Sequence, residues 1–153
     1  MMVRVMAVGI FDLLHAGHLH YVEQAKSLGD ELVVVIAHDE TVRKQKHEPV
    51  TGQELRRRMV EGLKPVDIAI IGNPPGVPIF EILEDVAPDI IALGYDQKHS
   101  IDAIRKGLDD HGYGHVRVTR VEGVSDDLDG TRKIIARILD LWPGSQGGPY
   151  EED

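Results

Sequence analysis

The chain has 153 residues, 42% hydrophobic and 28% charged, a composition that suits one folded domain with a single sizeable core. No apolar stretch approaches the length needed to cross a bilayer, and Asp12 and the histidines behind it interrupt the apolar start too early for a secretory leader, so a cytoplasmic protein with no membrane partner is expected. A net charge of −9 argues against general nucleic-acid binding, and the absence of cysteine excludes disulfides, thiolate metal sites and cysteine nucleophiles.

Five runs rich in β-branched and apolar residues recur, each followed by an amphipathic stretch. In chain order the predicted elements are a strand from Val3 to Phe11, a helix from Gly17 to Leu28, a strand from Glu31 to His38 and a helix from Gln53 to Leu63. A strand from Val66 to Ile71, a helix from Pro78 to Val86, a strand from Ile90 to Gly94 and a helix from Ser100 to His111 follow. Val116 to Val121 reads as the last strand and Gly130 to Leu141 as the last helix. Strands apolar on both faces and alternating with helices predict an α/β fold, a Rossmann-like three-layer sandwich whose five-stranded parallel sheet has helices on both faces. One domain over residues 1–141 is expected, with a flexible tail over 142–153, where periodicity ends and Pro and Gly collect.

The most informative segment is His15-Ala-Gly-His18, placed between the first strand and the first helix. Gly17 admits backbone close to a ligand, and the unpaired N–H groups of a helix start favour an anion. Two imidazoles beside them, protonated or in the right tautomer, can follow charge developing on a phosphoryl group. His20, elsewhere on the helix, is read as solvent-facing. Zinc held by His15, His18 and His20 is disfavoured, because residues three and five apart do not share one helix face well.

Open parallel sheets bind ligands outside the carboxyl ends of their strands. The polar residues follow that rule: Asp12, His15 and His18 come after strand one, Lys44 and Lys46 after strand two, Tyr95-Asp96-Gln97 after strand four, and Arg120 ends strand five. The lysines are read as lying on a loop.

Gly9-Ile10-Phe11-Asp12-Leu-Leu-His15-Ala-Gly17-His18 resembles the first signature of the cytidylyltransferase-like nucleotidylyltransferases, a G-T-F-D-x-x-H-x-G-H pattern. Lys44 and Lys46, Glu54-Leu-Arg56, Pro65-Val-Asp67, Leu93-Gly94-Tyr95-Asp96 and Arg120-Val-Glu-Gly123-Val-Ser125 match later landmarks in order, so the resemblance covers residues 1 to 140. Ile10 stands where that pattern has Thr. An insertion separates Ser125 from the last helix, where Thr131 offers a hydroxyl and Asp129 a cap. Within the family, Ala25 to Asp30, Arg58 to Asp67 and Pro88 to Lys98 are more similar to archaeal-type FAD synthases than to glycerol-3-phosphate cytidylyltransferases.

The resemblance implies transfer of AMP from ATP to FMN with release of pyrophosphate, with CTP and glycerol-3-phosphate, or nucleotide binding without catalysis, as alternatives. Catalysis would fall to His15, His18, Lys44 and Lys46. Gly9, Ile10, Phe11, Asp12, Gly17, Gly94, Asp96, Arg120, Gly123, Ser125 and Thr131 would join the histidines in binding nucleotide. Asp12, Lys44, Arg56 and Tyr95 would bind the acceptor. Asp12 would also orient a histidine or a metal-bound water. Mg²⁺ would be held mainly by the triphosphate, with no dedicated protein metal site, and a homodimer is expected.

Overall fold

The computed structural model describes residues 1–95, 97, 100–123, 128 and 130–144. Among them, β1 (Arg4–Gly9), β2 (Glu31–Ile36), β3 (Ile68–Ile71), β4 (Ile90–Leu93) and β5 (Arg117–Arg120) form one parallel sheet in the order β3-β2-β1-β4-β5. The helices are α1 (Ala16–Ser27), α2 (Asp39–Gln45), α3 (Gln53–Glu61), α4 (Ile82–Val86), α5 (Ile101–Asp110) and α6 (Thr131–Leu141).

Alternation along the strands divides the core into two layers. Val5, Ala7, Leu32, Val34, Ile36, Ile90 and Ala92 face Tyr21, Val22 and Ala25 of α1 and Val60 of α3. Met6, Val33, Val35, Ile91 and Leu93 face Ile82, Leu83 and Val86 of α4 and Leu108 of α5. This is the predicted three-layer α/β sandwich.

Observed strands end sooner than the apolar runs do. β1 stops at Gly9 because Phe11 takes a left-handed φ of 57°, which no strand accommodates. The helix predicted from Pro78 to Val86 is a 3₁₀ turn, Ile79–Glu81, leading into the short α4. It ends at Ala87, which lies before Pro88 and turns left-handed at φ 48°. Helix α2 was not predicted, since its single buried apolar residue, Val42, produces no periodic signal. Residues 145–153 of the predicted tail lie outside the described residues.

The chain fills β1, β2 and β3 in one direction, then returns to place β4 and β5 on the other side of β1. The β1–β4 pairing ends at Ala7↔Ala92, whereas β1 pairs with β2 as far as Gly9↔Ile36. A crevice therefore opens between β1 and β4 at their carboxyl ends, where ligands of such sheets bind.

Candidate active site at the carboxyl edge of the sheet

The turn from β1 into α1 holds two bulky residues in left-handed backbone, Phe11 at φ 57° and Leu13 at φ 50°. Such strain persists only where the surroundings over-determine it. The Phe11 ring is buried, stacked on Tyr21 with centroids 6.1 Å apart and tilted against His18 at 5.2 Å. Gly9 makes room for that ring, because a Cβ there would lie 2.7 Å from it. The need for glycine at this position is thus accounted for by Phe11.

His15 is the N-cap of α1. Its Nδ1 accepts from the amides of Gly17 at 3.0 Å and His18 at 3.4 Å, while the His15 amide donates to Nδ1 of His18 at 3.3 Å. Two imidazoles thereby make a reciprocal capping box, a role usually taken by Ser or Thr with Glu or Gln. The Gly17 and His18 amides, expected to point at an anion, are bonded to the His15 ring instead. An Nδ1 that accepts an N–H bond carries no proton, so each neutral ring keeps its proton on Nε2, away from the capping amides. The rings stack at 3.7 Å. Burial, and then the neighbouring His15, pull His18 down from its ordinary 6.5 to about 3, with Asp12 opposing. Of the two states anticipated for the pair, the hydrogen bonds select the neutral tautomer.

Asp12 does something other than orient a histidine. Its buried carboxylate accepts from the Val50 amide at 2.7 Å and from the Thr51 amide and hydroxyl at 3.1 and 2.7 Å. Burial works to raise its pKa, but the Thr51 and Val50 hydrogen bonds outweigh it and hold the group below its ordinary value. Arg56, expected at the acceptor, is tied to the protein in the same way. Rather than facing an acceptor, it is 1% exposed and donates to the carbonyls of Thr51, Ile10 and Ala37 and to Asp39 Oδ1 at 2.6 Å. Asp12 and Arg56 together fasten the loop before α3 to the β1–α1 turn. The Thr131 hydroxyl donates to the Asp12 carbonyl at 3.2 Å, which brings the start of α6 to the same turn, and Gly130 occupies that helix's N-cap.

Lys44 lies in the last turn of α2 and Lys46 at its C-cap, so the predicted loop is helical here. Both side chains are exposed and make no hydrogen bond or ion pair within the described residues, whereas the adjacent Arg43 is paired with Glu40 and Glu48. Basic residues suit a helix C-terminus, as Asp39 and Glu40 suit its start.

Across the crevice, the Arg120 guanidinium donates to the carbonyls of Gly94 at 3.0 Å and Gln97 at 2.6 Å. Tyr95 is 44% exposed, with Gly123 beneath it: a Cβ at Gly123 would lie 2.6 Å from its ring. His20 is not merely solvent-facing, since Nε2 bonds the Glu122 carbonyl at 3.1 Å. Asp96, Ser125 and Asp129 lie outside the described residues. Sequence reasoning missed Tyr21, whose hydroxyl donates to the Ala92 carbonyl at 2.6 Å and accepts from the Val8 amide at 3.2 Å, and gave Gln97 no role. A tyrosine on the buried face of α1 three residues after His18 was the available signal for the first.

The arrangement brings a strained, doubly capped histidine turn, a helix start carrying Thr131 and the β4 and β5 rims around one crevice. Chemically, it offers neutral N–H donors for a phosphate. Residues 6–122 match the cytidylyltransferase-like family. The chain is 50% identical over 140 residues to the FAD synthase of Aciduliprofundum boonei, covering 91% of this chain and 92% of that protein. It is 45% identical over 141 residues to the FAD synthase of Thermococcus onnurineus, covering 92% and 93%. The crystal structure of the lipopolysaccharide core biosynthesis protein from Thermoplasma volcanium matches with a TM-score of 0.77 at 40% identity, over 81% of this chain and 99% of that one. A family match over residues 6–122, which hold the histidine turn and all but the first two strand residues of the sheet, means that the chain belongs to the cytidylyltransferase-like family.

Proposed function

We propose that this protein is an FMN adenylyltransferase that moves AMP from ATP to FMN and releases pyrophosphate, giving FAD. The observation that carries the reading is the identity to FAD synthases over more than nine-tenths of both chains, 50% in one case. The neutral histidine pair at the mouth of the crevice is consistent with it.

An oxygen of the FMN phosphate attacks the α-phosphorus. A new P–O bond forms as the bond to the α,β-bridging oxygen breaks, and pyrophosphate leaves with that electron pair. The nucleophile is already an anion, so the protein's task is to position the reactants and stabilise charge. His15 and His18 would donate Nε2–H to oxygens of the α-phosphate and to the bridging oxygen. The Nδ1 of His15, held by the Gly17 and His18 amides, and that of His18, held by the His15 N-cap amide, couple those donors to the positive end of the helix. Lys44 and Lys46, exposed and without partners among the described residues, would swing onto the phosphates. Thr131, Tyr95, Arg120 and Gly94 remain candidate contacts by their position on the rim, as do Asp96 and Ser125 by resemblance.

Magnesium would arrive with ATP as part of the substrate, held mainly by the triphosphate, and no step is routed through it. The reading includes a domain over 1–141, a homodimer and a cytoplasmic setting. Sedimentation at two concentrations tests the second of these.

The test is a two-by-two assay of pyrophosphate release, ATP or CTP against FMN or glycerol-3-phosphate, with the product identified by chromatography. FAD from ATP and FMN is expected. Turnover only with CTP and glycerol-3-phosphate would reassign the substrates, and nucleotide binding without turnover in any arm would make the chain a binding module.

A further inference from the structure

The β1–β4 ladder holds an irregularity that the reaction described above does not use. With Ala7 opposite Ala92, the next rung of a parallel ladder would run from the Gly94 amide to the Val8 carbonyl. A side chain occupies that rung instead. Gln97 Oε1 accepts from the Gly94 amide at 3.0 Å, and Gln97 Nε2 donates to the Val8 carbonyl at 2.6 Å. One carboxamide thus satisfies both ends of the missing rung and stands between the two strands where a direct bond would draw them together. The rung before it is reinforced by the Tyr21 hydroxyl, bonded to the Val8 amide and the Ala92 carbonyl. Arg120 clamps the Gln97 loop from the β5 side through the Gly94 and Gln97 carbonyls.

The split lies at the point where the sheet reverses direction, between the histidine turn and the β4 rim. A nucleotide whose α-phosphate sits at His15 and His18 must extend its ribose and base from this split.

We propose that Gln97 is a positioning residue for the nucleotide: its carboxamide replaces the Val8–Gly94 rung and so sets the width of the crevice that ATP enters. Removing the carboxamide lets the ladder close by direct bonding of Gly94 to Val8, which narrows the crevice while leaving the histidines and lysines in place. This inference rests on the proposed function for two points, that ATP is the nucleotide and that its α-phosphate sits at His15 and His18.

The experiment titrates ATP with magnesium, without FMN, into the wild-type chain and the Gln97→Met and Gln97→Glu variants, then measures kcat, KM for ATP, KM for FMN and Tm for each. Closing of the ladder in Gln97→Met is expected to weaken ATP about tenfold, with kcat at saturating ATP and KM for FMN almost unchanged. Gln97→Glu keeps the acceptor for Gly94 but sets a carboxylate oxygen against the Val8 carbonyl, and should weaken ATP further. ATP binding within about twofold of wild type in both variants would overturn the proposal. So would a parallel fall of kcat, both KM-based affinities and Tm, which is what a merely structural role produces. If the wild-type chain fails to make FAD but Gln97→Met still binds ATP more weakly, the reading of the reaction fails and this inference stands.

Discussion

The β1–α1 turn and the end of α2 carry the two pairs of residues assigned to phosphate chemistry, and they are built in opposite ways. His15 and His18 cap the helix and each other, stack at 3.7 Å and lean on a buried Phe11 whose own backbone is strained. Lys44 and Lys46 are exposed, with no partner among the described residues. Directional donors must be aimed before the substrate arrives, because their value lies in preorganisation. An ammonium acts as a point charge, and leaving it mobile lets it follow the phosphates. Between the two, the Asp12–Thr51–Arg56 connections keep the lysine segment within reach of the turn.

The largest expected effect comes from cutting that connection. Arg56→Ala removes a buried cation from three carbonyls and Asp39, and should cost about 3 kcal/mol or more of stability, read by denaturant titration. Substituting the lysines should separate the regions cleanly. Lys44→Ala and Lys46→Ala are each expected to lower kcat/KM by about 10- to 100-fold, the loss of one charged hydrogen bond, with Tm unchanged. A fall in Tm would mean that the lysines are structural after all.

Acid probes the turn first through His18. His18 is held near 3 when folded against 6.5 ordinarily, so the unfolded chain takes up a proton first as pH falls below 6.5, and stability declines from there toward 3. Asp12, held below 3.8, adds stability above that value which is lost as pH falls through its lowered pKa. Together they predict denaturant midpoints that fall with acid, and a His18→Asn variant should flatten the part of the slope just below 6.5.

The sheet was legible because its central strands β1, β2 and β4 are buried on both faces, while apolar residues in and beside the edge strands β3 and β5 still mark them between helical periods. The carboxyl-edge rule for ligands gathers the expected site residues on one rim. Helix α2 was not legible, having Val42 as its only buried apolar residue. Asp12 and Arg56 illustrate what charge in a sequence does not encode. Their charges suggest ligand contacts, and only the three-dimensional structure reveals that Val50, Thr51, Ile10, Ala37 and Asp39 absorb them. Gln97 was visible in the sequence, yet its role depends on a β1–β4 register that no local pattern encodes.

The most direct test of the account is the rate of FAD formation from ATP and FMN by a His15→Asn variant, measured beside its Tm. Asparagine is a good N-cap and keeps an acceptor for the α1 amides but lacks the Nε2–H donor. The account predicts a Tm near wild type and a kcat lower by about 10²- to 10³-fold, the size of one lost transition-state donor. A variant that makes FAD at the wild-type rate, or one whose loss tracks unfolding alone, would show that His15 serves only as a cap.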